Sequence, residues 1–311
     1  MSSVQVALGS RRARPLLSLR ARTLLTGYAY LVPAALCLLA TVALPIGKAI
    51  QMSLYADVLF KPQDYRFIGL DNYIHLVEDP VFWLSLWNSF VWVFGSVVLQ
   101  FVVGFAAALL LHQAFAGRTL LRTLLLLPWV IPGVVVGLIW EWLYQPNYGV
   151  INDLLIRAGW LHDRIAWLSN PDLAMAAVVF TNVWRGIPFF AIMLLAGLQA
   201  VPDELYEAAR IDGAGVWARF WHVTLPLMRP IIVVATATRI IWTFNYADLI
   251  FVMTSGGPAN ATQITSTYTL MQAYANLDFG YAAALSVVLL LVMLAFTAAY
   301  LRITKGVEEA Q

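Results

Sequence analysis

Residues 207–226 read EAARIDGAGVWARFWHVTLP, a polar stretch between two long apolar segments. Just upstream, Val201-Pro202-Asp203-Glu204 has the form of a helix start, with proline near the first turn and acids where the helix dipole favours them. Leu205, Ala208 and Ala209 then share one helical face. Gly213 is placed to stop that helix by taking a left-handed conformation. Trp217, Phe220 and Trp221, spaced i, i+3, i+4, form a second apolar face, and Leu225-Pro226 opens the next apolar run. The expectation is helix, hinge, helix. Periodicity alone leaves two uses open: a docking surface for a soluble partner, or an amphipathic pair resting on lipid headgroups.

The surroundings are membrane-like. Hydrophobic residues make up 61% of 311 and charged residues 12%, about half the charge of an ordinary soluble domain. Six runs approach or exceed the roughly 20 residues needed to cross a hydrocarbon core: 28–50, 88–112, 120–144, 173–198, 228–253 and 281–302. With no water to satisfy backbone groups, such runs form helices, so the expectation is an all-α chain with six transmembrane helices. Residues 1–26 form a basic N-terminal segment, 27–305 the transmembrane domain with its loop at 201–226, and 306–311 a tail. The first run resembles a signal peptide preceded by Arg11, Arg12, Arg14, Arg20 and Arg22. It is longer than an h-region of about 7–15 residues, and Leu36 before Cys37 does not suit lipoprotein cleavage, so it reads as an uncleaved anchor.

Lys and Arg set the orientation. With the N-terminus inside, twelve flank the cytoplasmic ends and five the outer ends, leaving Arg185 and Arg239 within spans. Both termini and the 207–226 loop are then cytoplasmic. The outer loops carry turn residues and aromatics, as in FIGLDNY (67–73), QPNYGVIN (145–152) and SGGPANATQ (255–263), which suits ordered caps. The formal net charge of +2 gives no argument for nucleic acid.

The chain lacks the marks of a motor or an enzyme. Gly47-Lys48 is followed by Ala49, with Val42 where a P-loop needs glycine. His75, His112, His162 and His222 are scattered singly without metal-ligand spacing, and no G-x-S-x-G elbow occurs.

The fourth and fifth runs are unusually polar. The fourth holds Asn182, Trp184, Arg185, Gly186, Pro188 and Phe189; the fifth holds Arg239, Trp242, Thr243, Asn245, Tyr246 and Asp248. A charge at such depth costs about 2.5–3.5 kcal/mol on insertion scales and usually faces a cavity or a partner. Gly186-x-Pro188 is expected to loosen the fourth helix near midplane. Two readings stand side by side: the arginines pair with Asp248 or Glu141 inside the bundle, or they line a substrate path. Gly133-x3-Gly137 suits close helix packing.

Glu207-Ala208-Ala209, Gly213 and Val223-x-Leu225-Pro226 match the EAA-x3-G-x9-I-x-LP loop of binding-protein-dependent ABC importer permeases, with Val223 in place of Ile. FIGLDNY, LLLLPWVIP (124–132), QPNYGVIN, DGAG (212–215) and TSGGP (254–258) further resemble the maltose-type carbohydrate-uptake class over nearly the whole chain. The resemblance implies an ABC importer permease-like bundle in a bacterial inner membrane. It implies a loop, including Glu207, Ala208, Ala209, Asp212, Gly213, Leu225 and Pro226, that docks on an ATPase. It implies as partners a second homologous permease, two copies of that ATPase carrying Mg-ATP, a periplasmic sugar-binding protein and a sugar. This chain itself is expected to bind no cofactor or metal and to make no covalent bond. Asn182, Arg185, Gly186 and Phe189, with Arg239, Trp242, Thr243 and Tyr246, match substrate-lining positions of maltose-type permeases. Arg185 and Arg239 depart from that pattern by replacing uncharged residues. The departure points to an anionic sugar, because guanidinium binds carboxylate, phosphate or sulfonate groups bidentately. An autonomous secondary transporter or channel is the rival reading, and the 207–226 loop argues against it.

Overall fold

The computed structural model describes residues 19–308, so the arginines at 11, 12 and 14 and the end of the tail lie outside the described residues. The chain divides into a unit ending at Gln51 and a larger one from Met52 onward.

The first span is built from α1 (Leu19–Leu38), a wide π turn at Leu39–Ala43 and α2 (Leu44–Met52). Its cause is local. Pro45 has no N–H to offer Thr41, and its ring crowds that carbonyl, so the helix widens by one residue there. Thr41 Oγ1 turns back to donate to the Cys37 carbonyl at 2.8 Å.

In the larger unit, β1 (Tyr55–Ala56) pairs antiparallel with β2 (Arg66–Phe67) and leads into α3 (Asp71–Glu78) and α4 (Pro80–His112). Asp79 caps α4, accepting from the Val81 amide at 2.8 Å, with Pro80 in the first turn. This helix starts eight residues before the expected 88, because the Asp-Pro start lies upstream of the strongest apolar run.

The third expected span is not one helix. It consists of α5 (Arg118–Val130) and α6 (Gly133–Leu143), bent by 97°. Pro132 removes an amide and drives Ile131 into extended backbone, with φ −69° and ψ 130°. The described residues therefore contain five unbroken helices long and apolar enough to cross a bilayer, and a sixth span only if this broken pair is counted.

After α7 (Val150–Arg157) comes α8 (Pro171–Ala200). The expectation of a loosened fourth helix fails, for α8 runs unbroken through Gly186 and Pro188. It packs lengthwise on α4, with Phe101 edge-on to Phe190 at 5.6 Å and Gly104 against Phe190 and Ala191. In lipid, such small-residue packing and its dispersion attraction replace the hydrophobic effect as glue.

Next come α9 (Asp203–Ile211), α10 (Val216–Arg219), a second π turn at Phe220–Thr224, and α11 (Leu225–Phe244). Like the first, this π turn ends just before a Leu-Pro pair. It lets one helix run from Val216 to Phe244. The expected fifth span, 228–253, is thus corrected at both ends. The helix begins in the polar loop, stops at Phe244, and resumes as the separate α12 (Asp248–Met253). The stop is aided by Trp92 Nε1, which donates to the Thr243 carbonyl at 3.1 Å and satisfies one end-of-helix acceptor. Then α13 (Thr265–Tyr274) leads to α14 (Phe279–Glu308). The buried core joins Trp92, Val97 and Phe105 of α4, Val183, Phe190 and Leu194 of α8, Met228 and Ile240 of α11, and Leu289 of α14.

The caps at the end of the bundle away from 207–226 are ordered, as expected, and asparagines staple them. Asn72 Nδ2 donates to the carbonyls of Ser53 and Tyr55. Asn152 holds Ile165 and Trp167, and Asn88 donates to the carbonyls of Asn260, Ala261 and Gln263. Asp79 Oδ2 also accepts from Tyr268 at 2.5 Å and Tyr281 at 2.7 Å, joining the start of α4 to α13 and α14.

Candidate functional site

Two features stand out, one at the 207–226 loop and one inside the bundle. In the loop, α9 carries Asp203 and Glu204 in its first turn and Arg210 in its last, matching the helix dipole at both ends. It closes as expected from sequence. Gly213 takes φ +80°, its N–H bonds the Arg210 carbonyl at 3.0 Å, and Ala214 N–H reaches back to Ala209 at 2.8 Å. Phe220 packs on Phe105 of α4, and the Tyr206 hydroxyl meets Thr224 Oγ1 at 2.9 Å. The predicted second face is therefore divided: Phe220 turns into the bundle while Trp217 and Trp221 stay exposed. Glu207, Ala208, Asp212 and Gly213 lie on the exposed side, with Ile211 86% and Trp217 76% exposed. Bare side chains of that size beside an acid suit a protein partner. Leu225 and Pro226 belong to the rod of α11 rather than to the exposed tip.

The second feature is a cavity of about 340 Å³ lined by Trp129, Arg185, Arg239, Trp242, Thr243, Asn245 and Tyr246. It lies where α5, α8 and the end of α11 meet. Arg239 is only 5% exposed, and its Nε donates to Gln100 Oε1 of α4 at 2.7 Å. Gln100 Nε2 in turn donates to the Asn182 carbonyl at 2.8 Å. Arg185 lies over the Tyr246 ring, 4.7 Å from its centroid, and its buried Nε finds no acceptor. Among the described residues no acid pairs with either arginine, so the expected alternative of an ion pair with Asp248 or Glu141 is not what the fold forms.

Two glycines make room for this arrangement. A methyl at Gly186 would overlap Gln100 and the Arg239 guanidinium, and one at Gly133 would overlap the Tyr246 hydroxyl. Gly186 thus serves as clearance, not as a break. Gly137 packs against Val252 of α12, in keeping with the close packing expected of that pair.

Of the residues singled out in the fourth and fifth spans, Arg185, Arg239, Trp242, Thr243 and Tyr246 line the cavity. Phe189 lies beside it, 5.3 Å from Trp242 and under Arg239 at 5.9 Å. Asn182 is fully buried; both its side-chain polar atoms lack hydrogen-bond partners, and its link to the cavity runs through its backbone carbonyl. Asn245, named with the polar residues of the fifth run, also lines it. Two residues here were not anticipated: Gln100 was signalled only as a lone amide in an apolar run, and Trp129 by its place beside Pro128.

The chain belongs to the family of binding-protein-dependent transport system inner membrane components, which matches residues 100–309. It is 38% identical to the trehalose/maltose transport system permease protein MalF of Thermococcus litoralis over 278 residues, 89% of this chain and 92% of that one. It is equally 38% identical to the sulfoquinovosyl glycerol transport system permease protein SmoG of Agrobacterium fabrum over 275 residues, 88% and 89% of the two chains. Its fold matches a bacterial ABC transporter involved in the import of the acidic polysaccharide alginate, with a TM-score of 0.77, 24% identity, and 91% and 96% of the two chains covered. The chain is a multi-pass sugar ABC importer permease, a transport subunit and not an enzyme.

Proposed function

We propose that this permease carries an anionic sugar, in sulfonated, phosphorylated or uronic form. The observation that carries the reading is the pair of arginines lining one cavity with, among the described residues, no acid paired to either. Trp129, Trp242 and Tyr246 add flat faces of the kind that sugar rings stack on, and Thr243 and Asn245 add hydrogen-bonding groups. An anionic group held bidentately supplies the missing counter-charge. That one of the two 38%-identical relatives is named for a sulfonated sugar glycoside supports the same direction.

In this reading a periplasmic binding protein delivers the sugar to the stapled outer caps. A second, homologous permease completes the pathway, and two ATPase subunits bearing Mg-ATP dock on the loop through Glu207, Ala208, Ala209, Asp212 and Gly213. No cofactor binds this chain. Both termini lie in the cytoplasm, in accord with the arginine bias. The helix from Val216 to Phe244 spans 29 residues, or about 43 Å at roughly 1.5 Å per residue. Motion imposed at the loop therefore reaches Arg239, Trp242 and Thr243 along one rod.

The test is uptake into proteoliposomes holding the complete transporter. Arg185→Gln and Arg239→Gln should each reduce uptake of sulfoquinovosyl glycerol or methyl glucuronide about ten- to a hundredfold, the worth of one charge-assisted bond. Assembly with the ATPase should persist. Wild-type protein that carries only neutral sugars such as maltose overturns the reading.

A further inference from the structure

We infer that Gln100 sets the charge selectivity of the cavity, by holding the Arg239 guanidinium in place with a neutral acceptor that leaves its charge free for substrate. This rests on the anionic-sugar reading above and adds a residue that does not line the cavity.

The geometry is specific. Gln100 is fully buried in α4, in a helix whose other nearby residues are apolar or small. A buried amide on a lipid-embedded helix is retained only if it is well bonded, because its desolvation is otherwise uncompensated. Gln100 meets that condition from both ends of its amide. Its oxygen accepts from Arg239 Nε at 2.7 Å, and its nitrogen donates to the Asn182 carbonyl at 2.8 Å. Three helices, α4, α8 and α11, are thereby tied at one point. Gly186 supplies the gap through which both side chains pass, since a single added methyl would strike them.

The chemical type of the acceptor matters as much as its position. A carboxylate of nearly the same shape would accept the same hydrogen bond. It would also neutralise Arg239 and compete with any anion for the guanidinium. The amide fixes orientation and removes no charge. With Arg185 stacked on Tyr246 and paired to no acid among the described residues, the cavity keeps two positive groups. Gln100 is therefore a positioning residue that acts through Arg239, and its neutrality is the property that decides which sugars are held.

The experiment measures the uptake ratio of anionic probes, sulfoquinovosyl glycerol and methyl glucuronide, to maltose, in proteoliposomes of the complete transporter. Gln100→Glu should lower that ratio about ten- to a hundredfold, because one of the two cationic contacts is lost to the new carboxylate. Gln100→Met removes the anchor without changing charge. It should raise the KM for the anionic probes and lower the ratio by no more than severalfold, well short of the fall in Gln100→Glu. A Gln100→Glu protein with the wild-type ratio overturns the inference, and so does a Gln100→Met protein whose ratio falls as far as that of Gln100→Glu. If the Glu variant does not assemble with its ATPase, Gln100→Asp keeps the charge test with a shorter side chain; there an unchanged ratio overturns the inference and a fall supports it. Wild-type protein with no preference for the anionic probes refutes the substrate reading itself, before any variant is made. Wild-type preference with unaltered carboxylate variants refutes only the role of Gln100.

Discussion

The Tyr206 hydroxyl lies 2.9 Å from Thr224 Oγ1, so helix α9 of the exposed loop is tied to the π turn through which that loop continues into a membrane-crossing helix. The loop is thus bolted to the rod that ends at the cavity. Removing this bond with Tyr206→Phe should cost about 1 kcal/mol locally. It should leave the ATPase bound but lower the sugar transported per ATP hydrolysed severalfold. Simultaneous assay of uptake and phosphate release checks this, and an unchanged ratio shows that the tie carries no motion.

Gly213 occupies the left-handed region at φ +80°, with open space where a Cβ would stand. Gly213→Ala should therefore be a mild change, strained by about 1–2 kcal/mol through backbone conformation alone. Gly213→Pro forbids the conformation and should uncouple ATP hydrolysis from uptake while the protein remains in the membrane. Glu207→Lys should do the same by reversing charge on the exposed face. Wild-type uptake at equal expression in both the Pro and Lys variants would remove the coupling role from this loop.

Gly186→Ala places a methyl against Gln100 and Arg239, whereas Gly95→Ala on α4 meets only ordinary contact with Val179. The first should destabilise by about 1–3 kcal/mol through overpacking, and the second by much less. Thermal unfolding of the purified complex compares the two directly. Equal midpoints would mean that the crossing point is loosely packed.

Asp79 anchors the caps at the end of the bundle away from residues 207–226 through Tyr268 and Tyr281. Burial pushes its carboxyl upward, yet the hydrogen bonds from the two tyrosines and from the backbone of Val81 and Phe82 outweigh it and hold the pKa below the ordinary value. Burial and the carboxylate together push Tyr268 up to about 12. A depressed carboxyl stabilises the fold above its unfolded pKa, near 3.9, and loses that contribution as pH falls through the folded pKa. A raised tyrosine stabilises below about pH 10 and loses its contribution as pH rises through the folded value. Wild-type protein should thus lose thermal stability below about pH 4 more steeply than Asp79→Asn, which keeps the helix cap without the charge. Parallel acid titrations of both proteins would contradict the clamp.

Much of this molecule was legible one segment at a time. Gly213 was read correctly because a helix stop depends on a few adjacent residues. The spans were found because hydropathy is a local sum. The broken third span was missed although Pro132 was in plain view, since hydropathy averages over a bend that backbone geometry imposes. Gly186 was read as a weakness of its own helix when its role is to admit side chains from two others. Gln100 passed unread because its partner Arg239 lies 139 residues away in the chain.

The sequence by itself therefore determined the solvent, the apolar runs and the exposed loop with its hinge, though not where two of those runs break, because apolar length and a helix-stopping glycine act through their immediate neighbours. Only the tertiary structure decided what the two membrane arginines meet. Their partners come from other helices, and which groups face one another across a bundle depends on how those helices pack: here on a glycine gap in α8, a neutral amide from α4 and a tyrosine ring beyond the end of α11.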